Sequence, residues 1–328
     1  MTHIHVIHEN AAWLEPLAAA LNRQRLPWRD WFLDQGVFDL SRPPPEGLFY
    51  NRMSASSHTR GHRYAAELTA SVLAWLERHG RRVVNGSRAL DLEISKARQY
   101  AALEAASIRT PDTILVAGKE LLVAAARSRF GDGPFILKPN RGGKGLGVRL
   151  FHTVGALLDY LDRPDYEPPV DGLHLLQQYI RAPVPLITRA AFVGGRFMYA
   201  VEVDTSDGFE LCPADICAVG DAFCPAGPLA EPDRAAPEAP RARFTIIGDI
   251  DLALKRRYEA FLAANDIGVA GIEFVTDAAG TVYTYDVNTN TNYNLDAETR
   301  AARSGMDTLA RYLDAELATL YGNRDAAE

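Results

Sequence analysis

Three oxygen-bearing side chains fall at a spacing that can hold a hard cation. Ala270-Gly271-Ile272-Glu273-Phe274-Val275 and the run Thr281 to Asn288 read as strands around the turn Asp277-Ala278-Ala279-Gly280. If Thr276 pairs with Thr281, Glu273 faces Thr284 and Asp286 lies one step along on the same face, a diagonal neighbour roughly 7 Å away. Period-two alternation adds Asn288 to that face. Two carboxylates and an amide oxygen at a strand end suit Mg²⁺, above all where phosphates complete its octahedron. A lone acidic residue on a strand would be simple solvation; three oxygen ligands on one face are harder to dismiss.

A second stretch offers the matching cations. Pro134 to Phe151 reads PFILKPNRGGKGLGVRLF, two short apolar runs joined by Gly142-Gly143-Lys144-Gly145-Leu146-Gly147. The pattern predicts a β-hairpin whose glycine turn exposes bare backbone N–H groups beside Lys138, Arg141 and Lys144, a plausible phosphate lid. It is not a Walker loop, because Gly145 rather than Ser or Thr follows Lys144. Nor is it a dinucleotide fingerprint, because the glycine spacing is wrong and a strand, not a helix, follows.

A third group is Asn51 to His62, polar and placed just after the strand candidate Leu48-Phe49-Tyr50. In open α/β sheets ligands sit beyond the carboxyl ends of strands. Arg52, Ser54, His58 and Arg60 there, together with Asn292 later in the chain, are candidate substrate-binding residues for an anionic small molecule. A solvated loop is the plain alternative. Cys212, Cys217 and Cys224 cluster at a spacing that fits no familiar zinc ribbon. Packing as small hydrophobes stands there against a three-thiolate metal site or a reactive thiol.

The elements that must position these groups alternate between strand and helix. Ile4 to Ile7, Trp31 to Leu33, Leu48 to Tyr50 and Val83-Val84 are strand candidates, with helices over Trp13–Leu21 and Tyr64–Arg78. This predicts an open α/β domain ending near Asp91. Further helices are expected over 92–106, 119–130, 157–161, 251–265 and 299–321. The last two turn Leu254, Tyr258, Phe261 and Leu262, and Met306, Leu309, Leu313 and Leu317, inward. Strands Leu173–Ile180, Ile187–Val193 and Arg196–Val203 follow the glycine hairpin, the latter two around the two-residue turn Gly194-Gly195. Pairing Val193 with Arg196 would set Arg189 and Glu202 diagonally on one face. Pro225 to Arg243, rich in Pro and Ala, reads as a mobile surface loop.

Composition sets outer bounds. The 328 residues suffice for two or three modest domains. A net charge of −7 without a long basic run argues against nucleic acid or an anionic membrane as partner. MTHIHVIHEN lacks signal-peptide form, no apolar run approaches a membrane span, and three cysteines make no disulfide framework. A soluble, reduced, cytoplasmic protein is the expectation, and a homo-oligomer is compatible with it.

Taken in order, the motifs resemble the ATP-grasp superfamily, most closely its RimK-type and glutathione-synthetase-type carboxylate–amine ligases. The likeness covers roughly the last two-thirds of the chain. Lys96 in Glu-Ile-Ser-Lys and Lys138 at a strand end look like the family's nucleotide lysines. The glycine loop closes with Gly145-Leu146-Gly147-Val148. Gln177-Gln178-Tyr179-Ile180 is similar to the adenine hinge, and Arg189 before Gly-Gly to a segment reading Asp-x-Arg…Gly-Gly. Gly271-Ile272-Glu273 and Asp286-Val287-Asn288 look like the magnesium motifs. The sequence departs from the pattern at Gln178, Ile187, Glu210-Leu211-Cys212 and Thr289 to Asn294, mostly on the acceptor side, so no relative's substrate transfers.

The resemblance implies an open α/β domain over 1–91 followed by an ATP-grasp fold of two α+β subdomains, 92–180 and 181–328. It implies ATP and one or two Mg²⁺ ions as cofactors, with Mn²⁺ able to substitute. Lys96, Lys138, Gly142, Gly143, Lys144, Gly145, Gln178, Tyr179 and Ile180 would bind nucleotide. Glu273, Asp286 and Asn288 would bind metal, with Arg189 and Lys138 in catalytic roles. The implied reaction activates a small-molecule or peptide carboxylate as an acyl phosphate and joins it to an amine, releasing ADP and phosphate. A nucleotide-binding regulatory protein without turnover and a kinase that stops at phosphoryl transfer are the alternatives.

Overall fold

Runs of apolar residues buried on both faces favour a parallel sheet covered by helices, and the chain begins with one. The computed structural model describes residues 3–143, 145–206 and 243–325, with side chains to residue 320. Strands β1 (His3–His8), β2 (Trp28–Phe32), β3 (Gly47–Asn51) and β4 (Arg82–Val84) pair in the order β2-β1-β3-β4, all parallel. Helix α1 (Ala11–Arg23) is started by Asn10, whose side chain accepts from the Trp13 amide, a cap worth about 1 kcal/mol. Helix α2 (Ala65–Arg78) buries Val72, Leu73 and Leu76 against Phe49 and Val83. The loop after β3 lies at the carboxyl edge of this sheet, as expected.

The second sheet is antiparallel. Beyond α3 (Ser87–Glu93) and α4 (Lys96–Ala105), β5 (Thr113–Ala117), β6 (Phe135–Pro139), β7 (Arg149–Phe151) and β8 (Leu173–Gln178) assemble in the order β5-β8-β6-β7. The glycine hairpin forms, with Phe135 opposite Phe151. Gly145 and Gly147 take φ of 76° and 74°, a conformation open to glycine at little cost. Helices α5 (Leu122–Phe130) and α6 (Val154–Leu161) bury Leu122, Ala126, Leu157 and Leu161 against one face. The expected helix over 92–106 is instead two, α3 and α4, separated at Ile94-Ser95. Ser95 caps α4, and α4 packs through Tyr100 and Leu103 in a core shared by the third sheet and Leu175 of the second.

The third sheet holds β9 (Leu186–Val193), β10 (Arg196–Asp204), β11 (Phe244–Ile247), β12 (Val269–Thr276) and β13 (Val282–Asn288) in the order β11-β10-β9-β12-β13. Gly194 and Gly195, at φ of 63° and 68°, make the tight turn that a two-residue hairpin needs. Arg196 pairs with Val193 as expected, but a bulge between Phe197 and Tyr199 moves the rest of the ladder by one residue. Arg189 therefore faces Val201 and Glu202 faces Thr188, so Arg189 and Glu202 lie on opposite faces, contrary to expectation. Strand β11 carried no signal strong enough to be anticipated.

Helix α7 (Leu252–Ala264) buries Leu254, Tyr258, Phe261 and Leu262 against this sheet. The single closing helix expected over 299–321 is two, α8 (Leu295–Arg300) and α9 (Gly305–Asp325), because Ala302 turns left-handed between them. Met306, Leu309, Leu313 and Leu317 are buried as predicted, and they cover the first sheet and α1, so the chain's end closes over its beginning. The chain leaves the second sheet at Gln178 and enters the third at Leu186. Lys144, Glu210-Leu211, the three cysteines and the Pro/Ala-rich stretch up to residue 242 lie outside the described residues.

Candidate active site

Two rows of side chains cross the middle of the third sheet. Arg189 on β9 pairs with Glu273 on β12, which pairs with Asp286 on β13. In the next row Ala191, Gly271 and Asn288 are partners. The register differs from the expected one. Asp277 accepts hydrogen bonds from the amides of Ala279 and Thr281, and its own amide donates to the Thr281 carbonyl, so the turn closes on Asp277 and Thr281. Thr276 then pairs with Val282, Thr284 faces Phe274, and a bulge at Tyr285 sets Asp286 directly opposite Glu273. The two carboxylates are direct cross-strand neighbours, about 4.5–5.5 Å apart at Cβ, rather than diagonal ones. The bulge also re-aims Tyr285, which hydrogen-bonds Glu273.

Lys96 and Lys138 reach this row from two other elements. The Lys96 amide donates to the Asn140 carbonyl, and the Asn140 side chain accepts from Ser95 Oγ and the Ala97 amide. Asn140 thus ties the start of α4 to the end of β6, two residues past Lys138. Lys96 Nζ lies 2.5 Å from Asp286 Oδ1. Burial is the largest single influence and works against its charge, but Asp286, Tyr100 and Glu93 together outweigh it and raise the Lys96 pKa. Lys138 Nζ donates to Tyr100 Oη at 2.5 Å, and that hydroxyl donates to the Tyr285 carbonyl at 2.9 Å. Burial, reinforced by the neighbouring Lys96 charge, lowers the Lys138 pKa from 10.5 to about 7. Burial and Asp286 raise the pKa of Glu273, against the pull of Arg189, Lys96 and Tyr285.

The residues present fit a hard divalent cation. Asn288 Oδ1 is buried and has no hydrogen-bond partner among the described residues, whereas buried amide oxygens ordinarily have one. An unpaired oxygen in line with two carboxylates is the donor set expected of a Mg²⁺ site.

Arg189 lies over Gly271. A Cβ at Gly271 would sit 2.5 Å from Arg189 Nε, so only glycine leaves the guanidinium its place. Arg189 Nη2 donates to Thr291 Oγ1. The carbonyl of that same Thr291 accepts from Arg52 Nη2 at 3.4 Å, and Asn292 Oδ1 accepts from it at 2.7 Å. Arg52 Nη1 donates to the Trp13 carbonyl, its Nε has no partner among the described residues, and burial lowers its pKa. Arg52 and Asn292 therefore join Arg189 at one edge of the row.

The other loop candidates stand a step away. Arg60 grips buried Glu9 through Nε and Nη2, lies over the Trp13 ring at 4.7 Å and donates to Ser56 Oγ. Ser54 Oγ and Ser56 Oγ bond each other, and His58 Nδ1 meets the Ala55 carbonyl. Burial, followed by the charge of Arg141, lowers the pKa of His58. The glycine hairpin reaches this loop, since a Cβ at Gly143 would lie 3.6 Å from Ser56. Gly142 folds on Pro139, and Arg141 bonds Glu67 of α2. Gln178 ends β8 in paired bonds with Asp112, followed by half-buried Tyr179 and Ile180.

Four contributors were not anticipated. Tyr100 was expected only as core; its ring is buried, but its hydroxyl receives Lys138. Tyr285, Thr291 and Asn140 act through contacts that no local spacing reveals.

No protein-family model matches the chain, and no curated protein matches its sequence. Solved structures do match over nearly their whole length. The ATP-grasp ligase PsnB complexed with minimal precursor superposes with a TM-score of 0.64 at 16% identity, covering 96% of this chain and 99% of that one. This chain has an ATP-grasp fold. D-cycloserine synthetase DcsG gives a TM-score of 0.62 at 17% identity, over 96% of this chain and 99% of its own. D-alanine–D-alanine ligase from Bacillus anthracis gives 0.60 at 13%, over 99% and 100%. PsnB has also been solved with minimal precursor, Mg and ADP. The row Arg189–Glu273–Asp286 and both lysines thus lie on an ATP-grasp scaffold.

Proposed function

We propose that this protein is an ATP- and Mg²⁺-dependent carboxylate–amine ligase. The observation that carries the reading is the convergence of Lys96, Lys138, Glu273 and Asp286, with the unpaired Asn288 oxygen one side chain further along the same face of the strand. ATP-grasp ligases as structural neighbours, one solved with a precursor peptide and another a D-alanine–D-alanine ligase, support it. A substrate carboxylate oxygen would attack the γ-phosphorus of ATP while the bond to the ADP oxygen breaks. An amine would then attack the acyl carbon of the acyl phosphate, release phosphate and lose a proton. Glu273, Asp286 and Asn288 would hold Mg²⁺, whose chemistry there is to neutralise phosphate charge.

The chain's own groups do the rest by placement and electrostatics, which is most of what phosphoryl transfer requires. Lys96 and Lys138 would bind phosphate oxygens, and a bound polyanion would restore full charge to Lys138. Gln178, Tyr179 and Ile180 would border the base, while Gly142, Gly143 and Gly145 cover the phosphates and exclude water that would hydrolyse the acyl phosphate. Arg189, fixed by Gly271 and Thr291, would grip the developing oxyanion. Arg52, with Asn292, would anchor a substrate carboxylate, and Ser54, His58 and Arg60 would border it. The lack of a match among curated proteins leaves the acid and amine open, so a panel of amino acids and peptides is the starting set.

The test is ADP and phosphate release with that panel, singly and in acid–amine pairs. Ligation predicts ADP, free phosphate and an amide product only when acid and amine are both present. Phosphate retained on the product would show a kinase instead, and ATP binding without turnover on any pair would favour a regulatory role.

A further inference from the structure

Strand β13 carries two of the three proposed metal ligands and is an edge strand. One side of it pairs with β12, and the other has no strand partner among the described residues. Edge backbone groups left unpaired are a liability, and they let a strand shift. Here the α3–α4 corner supplies what a neighbouring strand would. Tyr100 Oη donates to the Tyr285 carbonyl at 2.9 Å. Gln99 does more: its Oε1 accepts from the Val287 amide at 2.8 Å while its Nε2 donates to the Val287 carbonyl at 2.7 Å. Buried Glu93 accepts from the Thr289 amide at 2.7 Å and from Thr289 Oγ1 at 3.0 Å.

Val287 lies between Asp286 and Asn288, and its own side chain points away from them into the core. Gln99 thus holds both peptide links between the two ligands, the Asp286–Val287 link through its N–H and the Val287–Asn288 link through its carbonyl. It is 1% exposed, sits three residues after Lys96 on the same helix, and is itself held through a further Nε2 bond to the Leu92 carbonyl at 3.1 Å. A side-chain amide that reproduces a strand's donor–acceptor pair is a specific device. An apolar residue of that size would satisfy packing alone.

We infer that Gln99 is a positioning residue for the metal site: by clamping both backbone groups of Val287 it fixes Asp286 and Asn288 relative to each other and to Lys96. The inference rests on the proposed reading of Glu273, Asp286 and Asn288 as metal ligands. It assigns no contact between Gln99 and the metal or any substrate. Residues that orient ligands in this way commonly change metal affinity by about 10- to 100-fold when replaced.

The test uses the full chain and Mn²⁺ as probe, read by electron paramagnetic resonance in the presence of ADP. ADP affinity is measured separately in EDTA. Gln99→Met keeps the side-chain volume and removes both bonds; it should weaken Mn²⁺ binding at least about tenfold while ADP affinity in EDTA stays within about twofold. Leu92→Ala, a core truncation in α3 that lowers stability without removing a side-chain bond to β13, should leave Mn²⁺ affinity near wild type. If Gln99→Met does not fold, Gln99→Leu, which also lacks both donor and acceptor, should show the same selective loss. Wild-type Mn²⁺ affinity in both folded variants, or an equal loss in Leu92→Ala, would overturn the inference and leave the metal assignment standing. A wild-type protein that binds ADP but no Mn²⁺ would overturn the metal assignment itself and the inference with it.

Discussion

Gly271→Ala isolates the placement of Arg189 with one methyl group. The new Cβ would lie 2.5 Å from Arg189 Nε, 2.9 Å from Nη2 and 3.1 Å from Cζ. Arg189 is 7% exposed and bound to Thr291, so it cannot swing aside without losing that bond. Overpacking of this kind costs about 1–3 kcal/mol. In an Arg189→Ala background the same methyl group enters vacated space. The only remaining effect is then the backbone preference for alanine over glycine, which stabilises by about 0.5–1 kcal/mol. Gly271 is not in the left-handed region, so no strain enters. Urea unfolding of the four members of the double-mutant cycle should therefore give a coupling energy of at least about 1 kcal/mol, with Gly271→Ala destabilising only when Arg189 is present. Turnover should fall in Gly271→Ala towards that of Arg189→Ala. Additive effects, or full activity in Gly271→Ala, would refute the argument that glycine is there to seat the guanidinium.

Asp286→Ala should lower kcat at least about 100-fold with near-native circular dichroism, since it removes a proposed metal ligand and frees Lys96; near-wild-type turnover at limiting Mg²⁺ would count against the assignment. Arg52→Ala should raise the KM of one organic substrate about 10- to 100-fold with little change for ATP, and Arg52→Lys should recover only part of it. Arg52 also holds Trp13, Thr291 and Asn292, so a drop in stability should accompany the kinetic effect. The lowered Lys138 pKa means that the unfolded chain holds more protons between about 7 and 10.5, so Lys138 makes stability rise with pH across that window. Lys138→Met should flatten that rise, and an unchanged slope in urea titrations at pH 7 and 9 would disprove the shift. Asn85→Ala should cost several kcal/mol, because the side chain bonds the Gly268 and Val269 amides and the Val269 and Thr289 carbonyls in a buried setting.

How far the fold could be read depended on where its information is stored. The first sheet was legible because parallel strands buried on both faces appear as unbroken apolar runs, as Leu48-Phe49-Tyr50 does. Glycine pairs announced both hairpins at their turns. The break between α3 and α4 was not legible. Continuous helical spacing runs through Ile94-Ser95, and what stops it is Asn140, forty-odd residues away, receiving the new helix's first amides. The cover that α9 lays over the first sheet is likewise a long-range fact; the inward residues were readable, their destination was not.

The site divides along the same line. Residue type and alternation singled out Glu273, Asp286, Asn288 and Lys138 as candidates, and the resemblance to the ATP-grasp superfamily added Lys96 and Arg189. Their exact neighbours depended on two bulges, at Phe197–Tyr199 and at Tyr285, which no spacing rule foretold. The second bulge matters most for the chemistry. Without it Asp286 would pair with Ile272, on the other face of the sheet, and leave Glu273 opposite Tyr285. With it, two carboxylates sit side by side between the cations Arg189 and Lys96, while burial lowers the Lys138 pKa to about 7, so that it carries only part of its charge at neutral pH. The free site is therefore close to charge balance within its own walls, and added phosphate charge must be met from outside it. On the proposed reading two responses would meet it: proton uptake at Lys138 and a divalent cation at the proposed ligands Glu273, Asp286 and Asn288. A site arranged in this way should bind nucleotide and metal together more tightly than either alone, because each supplies the charge the other lacks.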